Sequence, residues 1–267
     1  MAGGDARAAV RAAPAKSRHQ LSIYAALLGA YALLVFGTYV LFPLDMLAPG
    51  ASASPASQLS GWQLGLINAA VVTLLYGLLG LAGYWLARRL GLPGILRDGA
   101  TPREWGLVPL AIGAAAGVAL IAADRLFASS GDWPGFAHPA FPLSIFASGA
   151  AGIGEEVLFR LIVLSLWASI LNLGLGRIGA GEVAFWVGNA IAALAFAAGH
   201  LPAVMVLLNA ASPADLPAIA LAEVFVLNGV VGLICGWQFR RVGLVGAVGV
   251  HFWADVVWHV IFPLSGV

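Results

Sequence analysis

Glu155, Glu156 and Arg160 stand in the stretch G-A-A-G-I-G-E-E-V-L-F-R (149–160), inside an apolar run long enough to lie in lipid. An acid or an arginine at the centre of a membrane helix costs about 2.5–3.5 kcal/mol each on insertion scales. Three such groups need partners, a task, or both. Glu156 and Arg160 are four apart with the acid first, the favourable order for an ion pair on one helix face. Glu155 is rotated about 100° from Glu156 on a regular helix and has no partner near it in sequence. A carboxylate without a partner in a low-dielectric site holds its proton more tightly, which suits a general base or acid working near neutrality. Glu155 is the first candidate for chemistry.

Other polar residues fall inside apolar runs further along: Asn189, His200, Glu223, Asn228, His251, Asp255 and His259. His200 is four residues after Phe196, so the aromatic ring can fix the imidazole. His251 is four before Asp255, so the carboxylate can orient the ring. Two histidines and a glutamate, here Glu155, His200 and His251, could bind zinc and leave one position for water. The same groups could also activate water by base catalysis without a metal, and the sequence leaves both open. Glu223 and Asn228 read as interhelical contacts or an access path, His259 as interfacial, and Asp124 as a solvated residue near a helix end. A Glu–Arg pair four apart is by itself more often structural than chemical. What favours chemistry is convergence, since acids on one helix and histidines on two others all require the interior of one bundle.

The elements that must position these groups follow from composition. Of 267 residues, 61% are hydrophobic and 9% charged, against roughly 25% charged in soluble domains. The runs lack the alternation of barrel strands, so the chain reads as an all-α, polytopic helical membrane protein. A net charge of +1 argues against a nucleic-acid partner, and one cysteine excludes an intrachain disulfide framework. Spans are expected at about 21–44, 62–87, 105–127, 141–173, 182–202 (or on to 208 if the helix continues with a kink), 216–239 and 244–262. That makes seven, or eight if the segment near 129–148 adds a helix. Residues 1–20 read as a cytoplasmic tail, 21–130 as N-terminal membrane helices and 131–267 as the catalytic core. The first apolar segment is too long for a signal peptide. The fourth run exceeds the roughly 20 residues of a single span, so Gly149, Gly152 and Gly154 are expected to bend it or to end a shorter helix. With the N-terminus cytoplasmic, eleven of the thirteen basic residues fall inside, as the positive-inside rule requires. The chain is therefore expected in the cell (inner) membrane, with the C-terminus outside.

Three motifs resemble those of the type II CAAX-protease and bacteriocin-processing membrane protein family (CPBP, or Abi). Glu155-Glu156-Val-Leu-Phe-Arg160 resembles its E-E-x-x-x-R, Phe196-Ala-Ala-Gly-His200 its F-x-x-x-H, and His251-Phe-Trp-Ala-Asp255 its H-x-x-x-(N or D). They occur in the family's order on separate spans. The resemblance implies an intramembrane endopeptidase related to the Ras-converting enzyme, with a membrane-associated, CAAX-like or lipid-modified peptide or protein as substrate. By it, Glu155 would activate water with help from His200. His251 and residue 255 would stabilise the oxyanion or hold the substrate, and Glu156 with Arg160 would brace the site. An Asp at 255 in place of Asn can donate a hydrogen bond only when protonated, so Asp255 is expected to orient His251.

For His200 and His251 to share a site, the fifth helix must continue past Pro202, or the fourth or seventh must be broken. Two rival functions use the same buried residues. One is a proton-coupled transporter, disfavoured because no repeat of paired broken helices is visible. The other is a non-enzymatic membrane partner or immunity protein.

Overall fold

The computed structural model describes residues 17–47, 58–129, 133 and 135–266. Most of the tail assigned to 1–20 lies outside these residues. Among the described residues there is no strand, and seven helices are long and apolar enough to cross a membrane. They are α1 (His19–Leu41), α2 (Gly61–Arg89), α3 (Arg103–Ala128), α4 (Leu143–Ile178), α5 (Gly181–Leu208), α6 (Ala218–Val242) and α7 (Leu244–Leu264). The chain is a polytopic all-α membrane protein. Helix already covers Ser17–Gln20, within the segment read as tail. Gln20 is already buried and accepts a hydrogen bond from the Ile95 amide at 2.9 Å.

Burial rises along the chain, from 11% of the apolar window in α1 to 50% in α7. The interior is therefore made by the last helices, with α1 and α2 at the side. The first helix packs on α2 and on the first half of α4, while α7 lies against α3, α4 and α6. Close approach is bought at α3 by glycine: a Cβ on Gly113 would meet the Val250 carbonyl at 2.4 Å, and one on Gly117 the Ala254 carbonyl at 2.7 Å. Those carbonyls flank His251 and Asp255, so α3 seats the chemistry-bearing stretch of α7.

One end of the bundle gathers the basic residues. Arg240 and Glu182 form a two-pronged ion pair there, and Arg97 pairs with Glu104. The segment after α2 runs beside the α6–α7 turn, accepting from the Leu244 amide at Gly94 (2.9 Å) and from Val245 at Ile95 (3.0 Å). Gly243 makes that turn possible with φ 106°, a value only glycine adopts freely.

Three helices contain π-helical winding: α3 opens with it at Arg103–Leu107, and α4 and α7 carry it beside the motif residues. In α4 the α-helical residues Leu143–Glu156 lead into a π-helical stretch, Val157–Leu164, before α-helix resumes at Ser165–Leu175. In α7 a π-helical stretch covers Val256–Ile261, directly after Asp255. The glycine cluster does not end the helix, which stays α-helical from Leu143 through Glu156. Gly149, Gly152 and Gly154 lie within the regular part and receive Leu34, Phe252 and Tyr31 as packing neighbours. A missing side chain serves there as a socket for another helix. The fifth helix does pass Pro202, with a break at His200 between Gly181–Gly199 and Leu201–Leu208. Proline is tolerated because it sits in the first turn of the second piece.

Candidate active site

A cavity of about 240 Å³ opens in the half of the bundle away from the basic end. At about 30 Å³ per water it has room for roughly eight waters or a short length of peptide. The face of α4 at Ser144, Ala147, Ser148, Ala151 and Glu155 forms one wall. The spacing of three and four is that of a single helix stripe, and its small residues leave the space that Glu155 enters. Phe196, His200 and Ala203 come from α5, Asn228 and Val231 from α6, and His251, Asp255, Trp258 and His259 from α7. Leu120 of α3 and the Phe136–Pro139 segment complete it. The wall thus draws on α3, from the N-terminal side of residue 131, as well as on the later helices.

Neighbours in sequence, Glu155 and Glu156 have different environments. The Glu155 side chain is 34% exposed, toward the cavity, whereas Glu156 and Arg160 are both 0% exposed. Arg160 Nε lies 3.2 Å from Glu156 Oε2. The pair is electrostatic and not an aligned hydrogen bond, because none of the three guanidinium nitrogens has an aligned protein acceptor. The Arg160 charge also lies over the Phe196 ring, 4.7 Å from its centroid, a favourable placement for a desolvated cation.

Glu156 does a second thing that its sequence position does not announce. Its Oε1 lies 2.8 Å from His251 Nδ1. His251 Nε2 then faces Asp255 Oδ2 at 3.6 Å and Glu155 Oε2 at 3.8 Å. Asp255 was expected to orient His251. The Nδ1 bond goes instead to Glu156, and Asp255 stands on the Nε2 side with Glu155. His200 Nδ1 lies 2.9 Å from the Phe196 carbonyl, so Nδ1 is the donor there and Nε2 is the nitrogen not used by that bond. Phe196 touches both imidazoles edge-on, with centroids at 4.9 Å from His200 and 5.4 Å from His251. It is the wedge that brings the two rings to one place.

Several polar residues differ from their sequence reading. Asp124 is buried, not solvated, and accepts the Phe136 amide at 3.2 Å. Glu223 is buried and accepts from the Trp133 indole, so it ties the segment before α4 to α6. His259 lines the cavity instead of an interface, and it meets His138, which sequence reasoning passed over, at 2.9 Å. The only local hint was the aromatic and histidine content of that loop. Asn189 donates to the Leu233 carbonyl at 3.1 Å and Asn228 to Val224 at 2.9 Å; of the two, only Asn228 reaches the cavity.

Among the described residues, no three His, Cys, Asp or Glu side chains are gathered so that they could hold a metal ion. Zinc therefore has no three-residue seat at Glu155, His200 and His251.

Seven spans around an interior cluster of Glu, Arg, His and Asp define a polytopic membrane protein with a polar-lined cavity. Residues 137–257 match the family described as type II CAAX prenyl endopeptidase Rce1-like. The matched segment is a little under half of the chain and contains all three motifs. Over that segment the chain is similar to this family of endopeptidases. No curated protein and no solved structure matches it.

Proposed function

We propose that this protein hydrolyses a peptide bond of a membrane-associated protein or peptide with water activated by Glu155. One observation carries the reading: of two adjacent glutamates, the one that reaches the cavity is Glu155, while Glu156 is consumed by Arg160 and His251. Glu155 Oε2 has no hydrogen-bond partner and can accept a proton from water. His200 offers the lone pair of Nε2 to the same water. His251, held at Nδ1 by Glu156, presents Nε2 to the oxyanion and donates from it when the ring carries both protons, with Asp255 as counter-charge. The proton taken by Glu155 goes to the amine of the leaving fragment, so hydrolysis balances with no further reactant. Glu156, Arg160 and Phe196 hold this arrangement without touching the reacting atoms.

The same reading makes 131–267 the catalytic core and 21–130 a supporting set of helices, with α3 lending a wall. It places the N-terminus and the basic end in the cytoplasm of a cell with the chain in its inner membrane. Reporter fusions at the C-terminus and near residue 97 would then lie on opposite sides. Prenylated and unprenylated membrane-anchored peptides are the substrates to try first. Purified wild-type protein should cleave at least one, and Glu155→Gln should abolish it. Equal processing by wild type, Glu155→Gln and His200→Ala would sink the protease reading.

A further inference from the structure

His259 belongs to none of the three motifs and lies two residues beyond the matched segment. It nevertheless lines the cavity with Glu155, His200, His251 and Asp255. It stands four residues beyond Asp255, and residues four apart lie on one side of a helix, so His259 stays on the cavity side of α7. Opposite it, His138 arrives from the segment preceding α4 and packs edge-on against Trp258, His259 and Phe262.

The two Nδ1 atoms are 2.9 Å apart. A bond between two imidazole Nδ1 atoms contains one proton, so one ring donates and the other accepts, and the tautomers of both are fixed together. The three histidines that line the cavity now share a pattern. His200 is anchored through Nδ1 to the Phe196 carbonyl, His251 through Nδ1 to Glu156, and His259 through Nδ1 to His138. Each is left with Nε2 for something else. Two of them belong to the family's motifs; the third is built in the same way with a partner from a different part of the chain.

We infer that His259 is a substrate-contacting residue, hydrogen-bonding through Nε2 to a main-chain amide group of the bound peptide, and that His138 is its positioning residue. The inference rests on the protease reading given above. His259 then acts on binding and not on the water, because activation of the water already has Glu155 and His200.

The test uses the full chain in lipid nanodiscs and the reporter peptides of the cleavage assay. His259→Gln should raise KM about tenfold while kcat moves less than about threefold, the signature of an interaction made equally in ground and transition state. His138→Asn should raise KM about threefold, and the double variant should be no worse than His259→Gln alone. An unchanged KM in His259→Gln overturns the substrate contact. Losses that multiply in the double variant overturn the positioning role. Ring-nitrogen NMR of histidine-labelled protein checks the pair without relying on activity. One ring should be protonated at Nδ1 and the other at Nε2, and His138→Asn should shift the His259 signals. Two rings of one tautomer, or His259 signals indifferent to His138→Asn, would overturn the pairing. If wild type cleaves nothing, the protease reading fails by itself. Peptide affinity measured on the Glu155→Gln chain then decides the contact: about tenfold weakening by His259→Gln supports it, and no change or no binding overturns it.

Discussion

His251 Nδ1 is held 2.8 Å from Glu156 Oε1, a contact between residues 95 positions apart. One fully buried carboxylate therefore serves a cation on its own helix and a ring on another. It removes the Arg160 charge from the membrane interior as a problem and sets the direction in which His251 presents Nε2. The two glutamates of the motif are unequal for a geometric reason, and they should fail differently.

Glu155→Gln should lower cleavage by about 10²–10⁴-fold or more, the usual worth of a positioned general base. Thermal stability in detergent should stay near wild type, because the side chain is partly exposed and braces nothing. Glu156→Gln should lose both. It leaves Arg160 buried without its counter-charge, and breaking a buried pair from one side costs about 3–5 kcal/mol. If Glu156→Gln were as stable as Glu155→Gln, the bracing role would be wrong.

Phe196→Leu tests the wedge. The ring contacts Phe159, His200 and His251 edge-on and lies under Arg160. Aromatic contacts of this kind are worth about 0.5–1.5 kcal/mol each. The variant should lose about 1–3 kcal/mol in denaturation and, since both imidazoles lose their spacer, roughly tenfold or more in kcat. A loss of stability with unchanged turnover would show that the histidines are fixed by their Nδ1 bonds alone.

The α5–α6 crossing offers a paired packing test on one helix. A Cβ at Gly236 would meet Asn189 Oδ1 at 1.7 Å, whereas at Gly229 nothing lies within 4 Å. Gly236→Ala should destabilise by about 1–3 kcal/mol through overpacking. Gly229→Ala should be neutral or stabilise by up to about 1 kcal/mol, the helix-propensity difference. Equal melting temperatures for the two would show that the helices do not meet at Gly236.

The seven spans were legible because each is a long apolar run, and the Rce1-like relation because its three motifs stand in order inside three of them. That Glu155, His200, His251 and Asp255 line one cavity follows the same logic, since ionisable side chains in lipid must turn inward. What stayed hidden has physical reasons. Asp124 looked solvated because it is near the end of α3, yet the Phe136 segment covers it. Gly149, Gly152 and Gly154 looked like a helix end, because a glycine's local preference carries no information about the side chain that will occupy its missing Cβ. The π-helical turns left no recognisable mark on the pattern, and the bond from Glu156 to His251 depends on tertiary packing alone. His138 sits in a short irregular segment, where no periodicity indicates which way a ring will face.

Acid should loosen that segment. Burial holds the His138 pKa below its ordinary 6.5, with Asp124 pulling weakly the other way. The groups around it are His259 at bonding distance, Trp258 and Phe262 in ring contact, and Asp124 on α3; Arg125 lies over Phe262. A folded-state value below the unfolded one means that the unfolded chain binds more protons. The stabilising contribution is therefore complete above pH 6.5 and is lost as pH falls through the folded value. A second proton on the His138–His259 pair would also place two donors and two positive charges face to face. Amide exchange of residues 135–140 should accelerate between pH 7.5 and 5, and His138→Phe, which cannot titrate, should flatten that dependence relative to wild type. Protection that is independent of pH in the wild type, or equally dependent in the variant, would rule out His138 as the group responsible.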